Sequence, residues 1–549
     1  MAKTNSRFWT SLQILFVAIF GLFLIYPLFS LFSGGFQNAR TGEFSLMHFE
    51  RFFTRPFVFR ALIRSFTVST WTTFFAVLIG APLAYLTTMY KVKFKRAVDI
   101  LVIISMLSPP FIGAYSWILL AGRNGMLANF FMNNFGIQTP SIYGFGGIVL
   151  VMTLSSYPLM YLFTSGALKK VDASLIEASA SLGSNPFRTI FKVTMPLIIP
   201  TILAGALLVF MDTMADFGTP MLIGEGYVVM PVLIFNEFIG EMGGQPNFAA
   251  ALAVIMMVVT VILFSIQKYI IARKSFTMSS LRPLQVKKLK GAPNVIMHVI
   301  IYLVVALATI PQTIVIYTSF RATRGPIFIE GYNLGSYRAI FRTLGSSITN
   351  TYVLGLAAII IIVVFSMCIA YITIRRRSVI TNVLDTVTML PFVIPGSVIG
   401  IALVMAFNTQ PLLLTGTAFI LVLAFVIRRL PFTLRSSSAI LHNISPSLEE
   451  AAISLGDSPA KGFFKITAIL MLPGVISGAI LSWVTIINEL SASVMLFTIR
   501  TRTLTVAIYQ EVVRASYGTA AALSTILTLS TIISLIIFFK LTGKTEISL

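Results

Sequence analysis

Apolar residues in this chain gather into long unbroken runs, with polar residues confined to the intervals between them. Twelve runs stand out, at roughly 10–33, 61–90, 97–121, 145–168, 193–223, 248–272, 293–320, 348–374, 380–407, 412–435, 466–497 and 517–540. Each is long enough to cross a hydrocarbon core of ~30 Å. Lipid offers no partner to a free backbone N–H or C=O, so each run predicts a membrane helix. The first run follows Lys3 and Arg7, exceeds the apolar segment of a signal peptide and precedes no A-x-A site. It reads as a retained anchor.

Composition agrees. A mean hydropathy of +0.91, with 57% hydrophobic and 11% charged residues, excludes a water-soluble globule. The single cysteine, Cys368, lies inside a run and has no second cysteine to pair with. A net charge of +22 raises the possibility of nucleic-acid binding, but its distribution argues for orientation instead. With the N-terminus inside and twelve crossings, intervals 91–96, 169–192, 273–292, 375–379 and 436–465 share one side with both termini. That side holds 27 of the 40 Lys and Arg residues, including all 16 lysines; the other holds 13 arginines. Acids such as Glu43, Glu50, Glu225, Glu237, Glu241, Glu330 and Glu511 accompany those arginines. The lysine-rich side is therefore predicted to be cytoplasmic, with both termini there and no nucleic-acid partner.

One interval occurs twice. Ser174-Leu-Ile-Glu177-Ala178-Ser-Ala-Ser-Leu-Gly183-Ser-Asn185-Pro186 recurs as Ser447-Leu-Glu-Glu450-Ala451-Ala-Ile-Ser-Leu-Gly456-Asp-Ser458-Pro459. Extended to Gly205 and Gly478, the copies match without a gap at 14 of 32 positions. Pro158 matches Pro431 at the same offset, while Tyr85, Asp99 and Pro109 match Tyr371, Asp385 and Pro395 thirteen residues further apart. The extra residues fall around 122–144. The chain thus divides into a first repeat, 1–275, with its loop at 169–192, a linker at 276–291 containing Pro283, and a second repeat, 292–549, with its loop at 442–465. Six spans per repeat in equal orientation predict a pseudo-two-fold axis along the membrane normal and a pathway between the halves.

Ser174 with Glu177, and Ser447 with Glu450, fit an S-x-x-E capping box. Gly183 and Gly456 stand where a helix ends in the left-handed conformation. Asn185-Pro186 and Ser458-Pro459 fit the cap and first position of a second helix, which runs on past Pro200 and Pro473 into a membrane span. The product is helix, glycine turn and helix, tied stiffly to a span. As a plain reading it is an amphipathic connector; built twice, it suits a pair of docking points that pass a push into the membrane.

At these residues the chain resembles a known family. Glu177-Ala178-Ser179…Gly183…Val193-Thr-Met195-Pro196 and Glu450-Ala451-Ala452…Gly456…Ile466 resemble the EAA loop of the permease subunits of ATP-binding-cassette importers. The first copy departs at Ser179, and the second has Ile469 where the first has Pro196. The resemblance covers nearly the whole chain and looks most like the ferric-iron permease branch, which also contains thiamine, polyamine and phosphonate relatives. It implies an all-α membrane protein of about twelve helices in two parallel six-helix repeats, like a type I importer permease. It implies ATPase coupling through Ser174, Glu177, Ala178, Gly183, Ser447, Glu450, Ala451 and Gly456. The implied partners are two copies of a cytoplasmic ATP-binding subunit and an extracytoplasmic solute-binding protein. The implied place is the inner membrane of a prokaryote.

The chain's own residues fit a non-catalytic subunit. It has no G-x-x-x-x-G-K-[ST] phosphate loop, since Phe538 stands where the first glycine of Gly543-Lys544-Thr545 would need its partner. ATP and Mg are therefore expected in partner subunits, with no cofactor and no metal on this chain. His48, His298 and His442 read as structural. Charges inside spans are candidates for a passage. Asp212 and Asp216 lie one turn apart in the fifth run, and Glu489, beside Asn488, takes the place of Asp216 in the eleventh. Such acids could face each other across the axis and guide a cation; equally they could cap broken helices or bind Arg428 and Arg429. Carboxylate oxygens suit Fe³⁺ without selecting it. An ion-coupled secondary transporter remains the alternative class.

Overall fold

The computed structural model describes residues 7–38, 41–240, 244–274, 282 and 286–542. Lys3, Glu241, Pro283 with most of the 276–291 linker, and Gly543–Thr545 lie outside them. Among the described residues, nine helices are long and apolar enough to cross a membrane: Arg7–Gly35, Pro56–Met89, Phe145–Leu168, Pro186–Ala215, Pro246–Ile270, Ala292–Ser319, Gly345–Arg375, Pro459–Ile487 and Tyr517–Phe538. Two bent pairs raise the number to eleven. The remaining expected run, 412–435, is the helix Ala418–Asn443, whose apolar stretch carries Arg428, Arg429 and Arg435. Twelve is thus an approximate count for this all-α protein. A two-stranded hairpin, Arg321–Arg324 with Ile327–Tyr332, is an element the apolar pattern gave no sign of.

The runs 97–121 and 380–407 are each a pair of helices with a bend between them. Lys95–Met106 meets Pro110–Phe135 at 97°, and Val379–Val393 meets Gly396–Phe407 at 113°. Ser108 and Ile394, which precede Pro109 and Pro395, have ψ of 130° and 128°. A proline ring crowds the preceding residue out of the helical region, so the matched prolines turn the chain in both repeats. The fifth and eleventh runs also end early, at Ala215 and Ile487, and short helices Gly218–Ile223 and Ser493–Leu496 follow.

The chain forms two compact units that cut across the sequence repeats. Of the described residues, one unit comprises those within 7–54, 234–257 and 320–542; the other comprises those within 55–233 and 258–319. Each unit therefore takes its first span from the other repeat. In the first unit, Trp9 stacks against Tyr371 and Phe463, with ring centroids 4.3 and 5.2 Å away, and all three are buried. In the second, Met297, Ile301, Val305 and Ala308 of the exchanged helix join a core with Ala84, Val98, Tyr157 and Ile198.

Membrane helices approach closely where a side chain is missing. A Cβ on Gly80 would meet the Tyr157 carbonyl oxygen at 2.5 Å, and one on Gly478 would meet Thr433 Cα at 2.7 Å. These contacts bring Pro56–Met89 onto Phe145–Leu168 and Pro459–Ile487 onto Ala418–Asn443.

Between the first two spans, the short helix Met47–Thr54 buries His48. Its Nε2 lies 3.2 Å from the Gln37 carbonyl oxygen, and Arg51 beside it sits 4.1 Å from the Phe248 ring centre. Burial lowers the His48 pKa; the Gln37 carbonyl opposes this and the Arg51 charge adds to it. A base whose folded pKa is depressed gives stability that is full above its unfolded value and lost as the pH falls through it. Thermal melting in detergent is therefore expected to drop on acidification below about 6.5. The drop should shrink in His48→Gln; an unchanged pH profile in that variant would remove His48 as the cause.

Candidate functional site

The two loop copies make the same helix ending and the same second helix start. Helix Ala173–Ser181 ends at Gly183 with φ +79°, and helix Ser447–Ser454 ends at Gly456 with φ +99°. Gly183 N donates to Ala180 O at 3.0 Å and Ser184 N to Ser179 O at 3.1 Å. Gly456 N donates to Ile453 O at 3.0 Å and Asp457 N to Ala452 O at 3.1 Å. Both are Schellman endings, which return two loose helix carbonyls to the hydrogen-bond network. Asn185 Oδ1 then accepts from Arg188 N at 2.8 Å, and Ser458 Oγ from Lys461 N at 3.3 Å, with Pro186 and Pro459 at the first helical position.

From there each chain enters its span without interruption. Both pass through five residues of π-helix, Ile190–Thr194 and Phe463–Thr467. Ile469 in place of Pro196 leaves this path unchanged, so the proline is not what sets it.

The start of each first helix differs from the expected capping box. Asp172, two residues ahead of Ser174, accepts from Ser174 N at 2.9 Å. At the equivalent position Ser445 Oγ accepts from Ser447 N at 3.3 Å. A cap is already in place upstream, so Ser174 and Ser447 fall inside the helices. Glu177, Glu450, Ala178 and Ala451 are exposed on the helix surface.

The residues just before the turn glycines are not marked out by the apolar pattern. Leu182 is 86% exposed and Leu455 is 90% exposed, the two highest values among the described large hydrophobic residues. Leu175, Leu448, Phe191 and Phe464 are also exposed, again at matched positions. Both copies thus carry a protruding apolar knob at the corner of the elbow. Its only sequence signal was the pair of identical leucines, which a chain this apolar conceals.

Inward contacts distinguish the copies. In the first, Ser179 Oγ lies 3.0 Å from Thr189 Oγ1 between the two short helices, where the second has Ala452 and Gly462. Asp172 Oδ2 also accepts from Arg282 N at 3.3 Å. In the second copy, buried Glu449 accepts hydrogen bonds from Tyr371 Oη and, at 3.0 Å, from Thr467 Oγ1. Ile176 stands at that place in the first copy and packs on its unit's apolar core.

The intramembrane charges stand at the helix breaks. Asp216 Oδ2 accepts from Thr219 N at 3.0 Å, and Glu489 Oε1 accepts from Ala492 N at 3.1 Å. Both acids thus hold the chain where a span gives way to a short helix. Glu489 also pairs with Arg428 and Arg429, at side-chain exposures of 2%, 14% and 18%. Ser155 and Ser156 occupy the equivalent positions in the first repeat, so the charge pattern is not duplicated. Asn488 follows the end of Ala468–Ile487, its backbone N–H donating to Ile486 O, and Asp212 is exposed on its helix. Of the histidines, His298 Nε2 accepts from Lys93 N at 3.1 Å, a structural contact.

Comparison with known proteins places these features in a wider group. The family of binding-protein-dependent transport system inner membrane components matches residues 76–276 and again residues 362–544. The ferric transport system permease protein FbpB of Actinobacillus pleuropneumoniae is 28% identical over 535 residues, covering 96% of this chain and 77% of that protein. The Fe(3+)-transport system permease protein FbpB 2 of Haemophilus influenzae is 25% identical over 526 residues, covering 95% and 96%. The molybdenum transport system permease protein ModB of Mycobacterium tuberculosis is 25% identical over 210 residues, covering 38% of this chain and 77% of its own. Each family match ends in the same half of the chain as one elbow and its span.

Proposed function

We propose that this chain, which belongs to the family of binding-protein-dependent transport system inner membrane components, forms the membrane passage of an ATP-driven importer whose solute is ferric iron. The carrying observation is the pair of matched elbows. Each presents an exposed leucine at its corner and runs without a break into a membrane helix. A partner that grips the knob moves the helix with it. On this reading Ser174, Glu177, Ala178, Gly183 and their counterparts Ser447, Glu450, Ala451 and Gly456 build two cytoplasmic docking points. Two copies of an ATP-hydrolysing subunit occupy them, and the lysine-rich side faces the cytoplasm.

Iron rests on the two relatives that span nearly the whole chain, both named for ferric transport. The chemistry is compatible: Asp212 and Asp216 supply hard oxygen ligands in one span, and Fe³⁺ favours such oxygens. We assign those two acids to the passage. Glu489, Arg428, Arg429 and Asn488 hold the break in the equivalent span and shape the passage there.

The test is uptake of ⁵⁵Fe³⁺ into proteoliposomes holding the chain, a co-expressed ATPase subunit and a solute-binding protein. Uptake that requires internal ATP and survives an uncoupler supports the reading. Uptake abolished by the uncoupler alone overturns the ATP-driven mechanism, and ATP-dependent uptake of another solute without iron overturns the assignment of iron.

A further inference from the structure

We infer that Glu449, Tyr371 and Thr467 form a polar latch that ties the second elbow to two membrane helices at once, and that the first elbow lacks such a latch. The inference rests on the elbows being docking points. The Glu449 carboxylate is 8% exposed and accepts from a phenol on Gly345–Arg375 and a hydroxyl at the base of Pro459–Ile487. Tyr371 packs against buried Trp9 and Phe463, its ring centroid 4.3 and 4.6 Å from theirs. Motion of helix Ser447–Ser454 therefore reaches Gly345–Arg375 and Pro459–Ile487 through directional bonds, and reaches Arg7–Phe20 through the stacked rings.

The first repeat keeps the scaffold and drops the central group. Thr194 matches Thr467 and Tyr85 matches Tyr371, yet the residue matching Glu449 is Ile176. Apolar contact resists separation without fixing direction, so an isoleucine can slide on its neighbours. A buried carboxylate cannot slide, because leaving its donors exposes an unsatisfied charge or hydroxyl. The first elbow is held instead within itself, by Ser179 and Thr189 between its two short helices, and at its start, where Asp172 accepts from Arg282 N and Ala173 N donates to Arg282 O at 3.1 Å. The second elbow is thus the stiff lever and the first the compliant one. Glu449 is a positioning residue, acting through Tyr371 and Thr467 on the helices.

The variants are Glu449→Ile, which copies the first repeat, and Ile176→Ala as its counterpart. Two readouts apply to the intact complex: uptake per ATP hydrolysed, and hydrogen–deuterium exchange of amides 448–456 and 175–183. Glu449→Ile is expected to lower the coupling ratio about tenfold while ATP hydrolysis and subunit stoichiometry persist. It should also raise exchange at 448–456 at least tenfold. Ile176→Ala should change both readouts less than threefold. Tyr371→Phe with Thr467→Val removes the donors without touching the elbow and should reproduce the Glu449→Ile result; it decides the matter if Glu449→Ile does not assemble.

Equal effects from the two repeats, or unchanged exchange at 448–456, overturn the latch. Failure of the unaltered chain to retain an ATPase subunit overturns the docking function instead; the exchange measurement still judges the latch on the chain alone.

Discussion

A chain carrying Leu182→Asp together with Leu455→Asp is expected to lose its ATPase subunits and to take up solute at least a hundredfold more slowly, while inserting and folding normally. Burying one leucine contributes about 1.5–3 kcal/mol. Both side chains are uncovered by the rest of the chain, at 86% and 90% exposure, so on the proposed docking that gain is realised when the partner covers them. An aspartate in the same recess removes the apolar term and adds the cost of an unpaired carboxylate. A loss of about 3 kcal/mol at one site is already more than a hundredfold in binding. Two sites on one chain act together, so losing both forfeits the gain from linkage as well. The chain should tolerate the change because nothing in it packs on these leucines closely enough to shield them. Surface substitutions of that kind usually fall within about 0.5 kcal/mol. Affinity purification followed by quantitation of the ATPase subunit checks the first half of the expectation, and proteoliposome uptake the second. Retention of a full complement of ATPase by the double variant would remove the knobs from the docking surface.

The second large effect is expected at Glu489. Its carboxylate faces two arginines inside an apolar bundle and also accepts from Ala492 N. Glu489→Gln keeps an oxygen for Ala492 but removes the carboxylate charge that Arg428 and Arg429 share. Removing one member of a buried ion pair costs about 3–5 kcal/mol. The variant should therefore melt well below the parent in detergent, and a further Arg429→Gln should recover part of the loss by deleting one of the two positive charges. Asp216→Asn offers the contrast, because asparagine still accepts from Thr219 N and Ser155 and Ser156 stand where the arginines would be. Its melting should stay within a few degrees of the parent. Equal destabilisation by the two substitutions would show that the arginines do not depend on Glu489.

Much of this architecture was legible because it is written locally. Apolar runs give spans directly, since lipid forces helices on them. Gly183, Gly456, Asn185-Pro186 and Ser458-Pro459 announce a turn between two helices through backbone chemistry that needs no tertiary context. The bends were legible in principle: Ser108 and Ile394 precede prolines, and an apolar run alone does not reveal that the chain turns inside it. The capping residue was displaced because Asp172 and Ser445 lie two residues ahead of the S-x-x-E pattern and compete with it.

Other features depend on distant parts of the chain. Glu449 sits next to Glu450, and both read as one solvated face until Tyr371 and Thr467 close over the first. Leu182 and Leu455 look like any other leucine in a chain that is 57% hydrophobic. Nothing near Trp9 in sequence points to Tyr371 and Phe463, so the exchange of first spans had no local signature.

That exchange bears on how such a polypeptide can be assembled and inherited. Severed within 276–291, each fragment would emerge from the ribosome missing one helix of its own unit and holding one that belongs to its sister. Neither fragment could mature alone, and both would have to be synthesised in equal amounts at the same place. A continuous chain supplies that equality automatically, so carrying both repeats in one polypeptide secures stoichiometry as well as linkage.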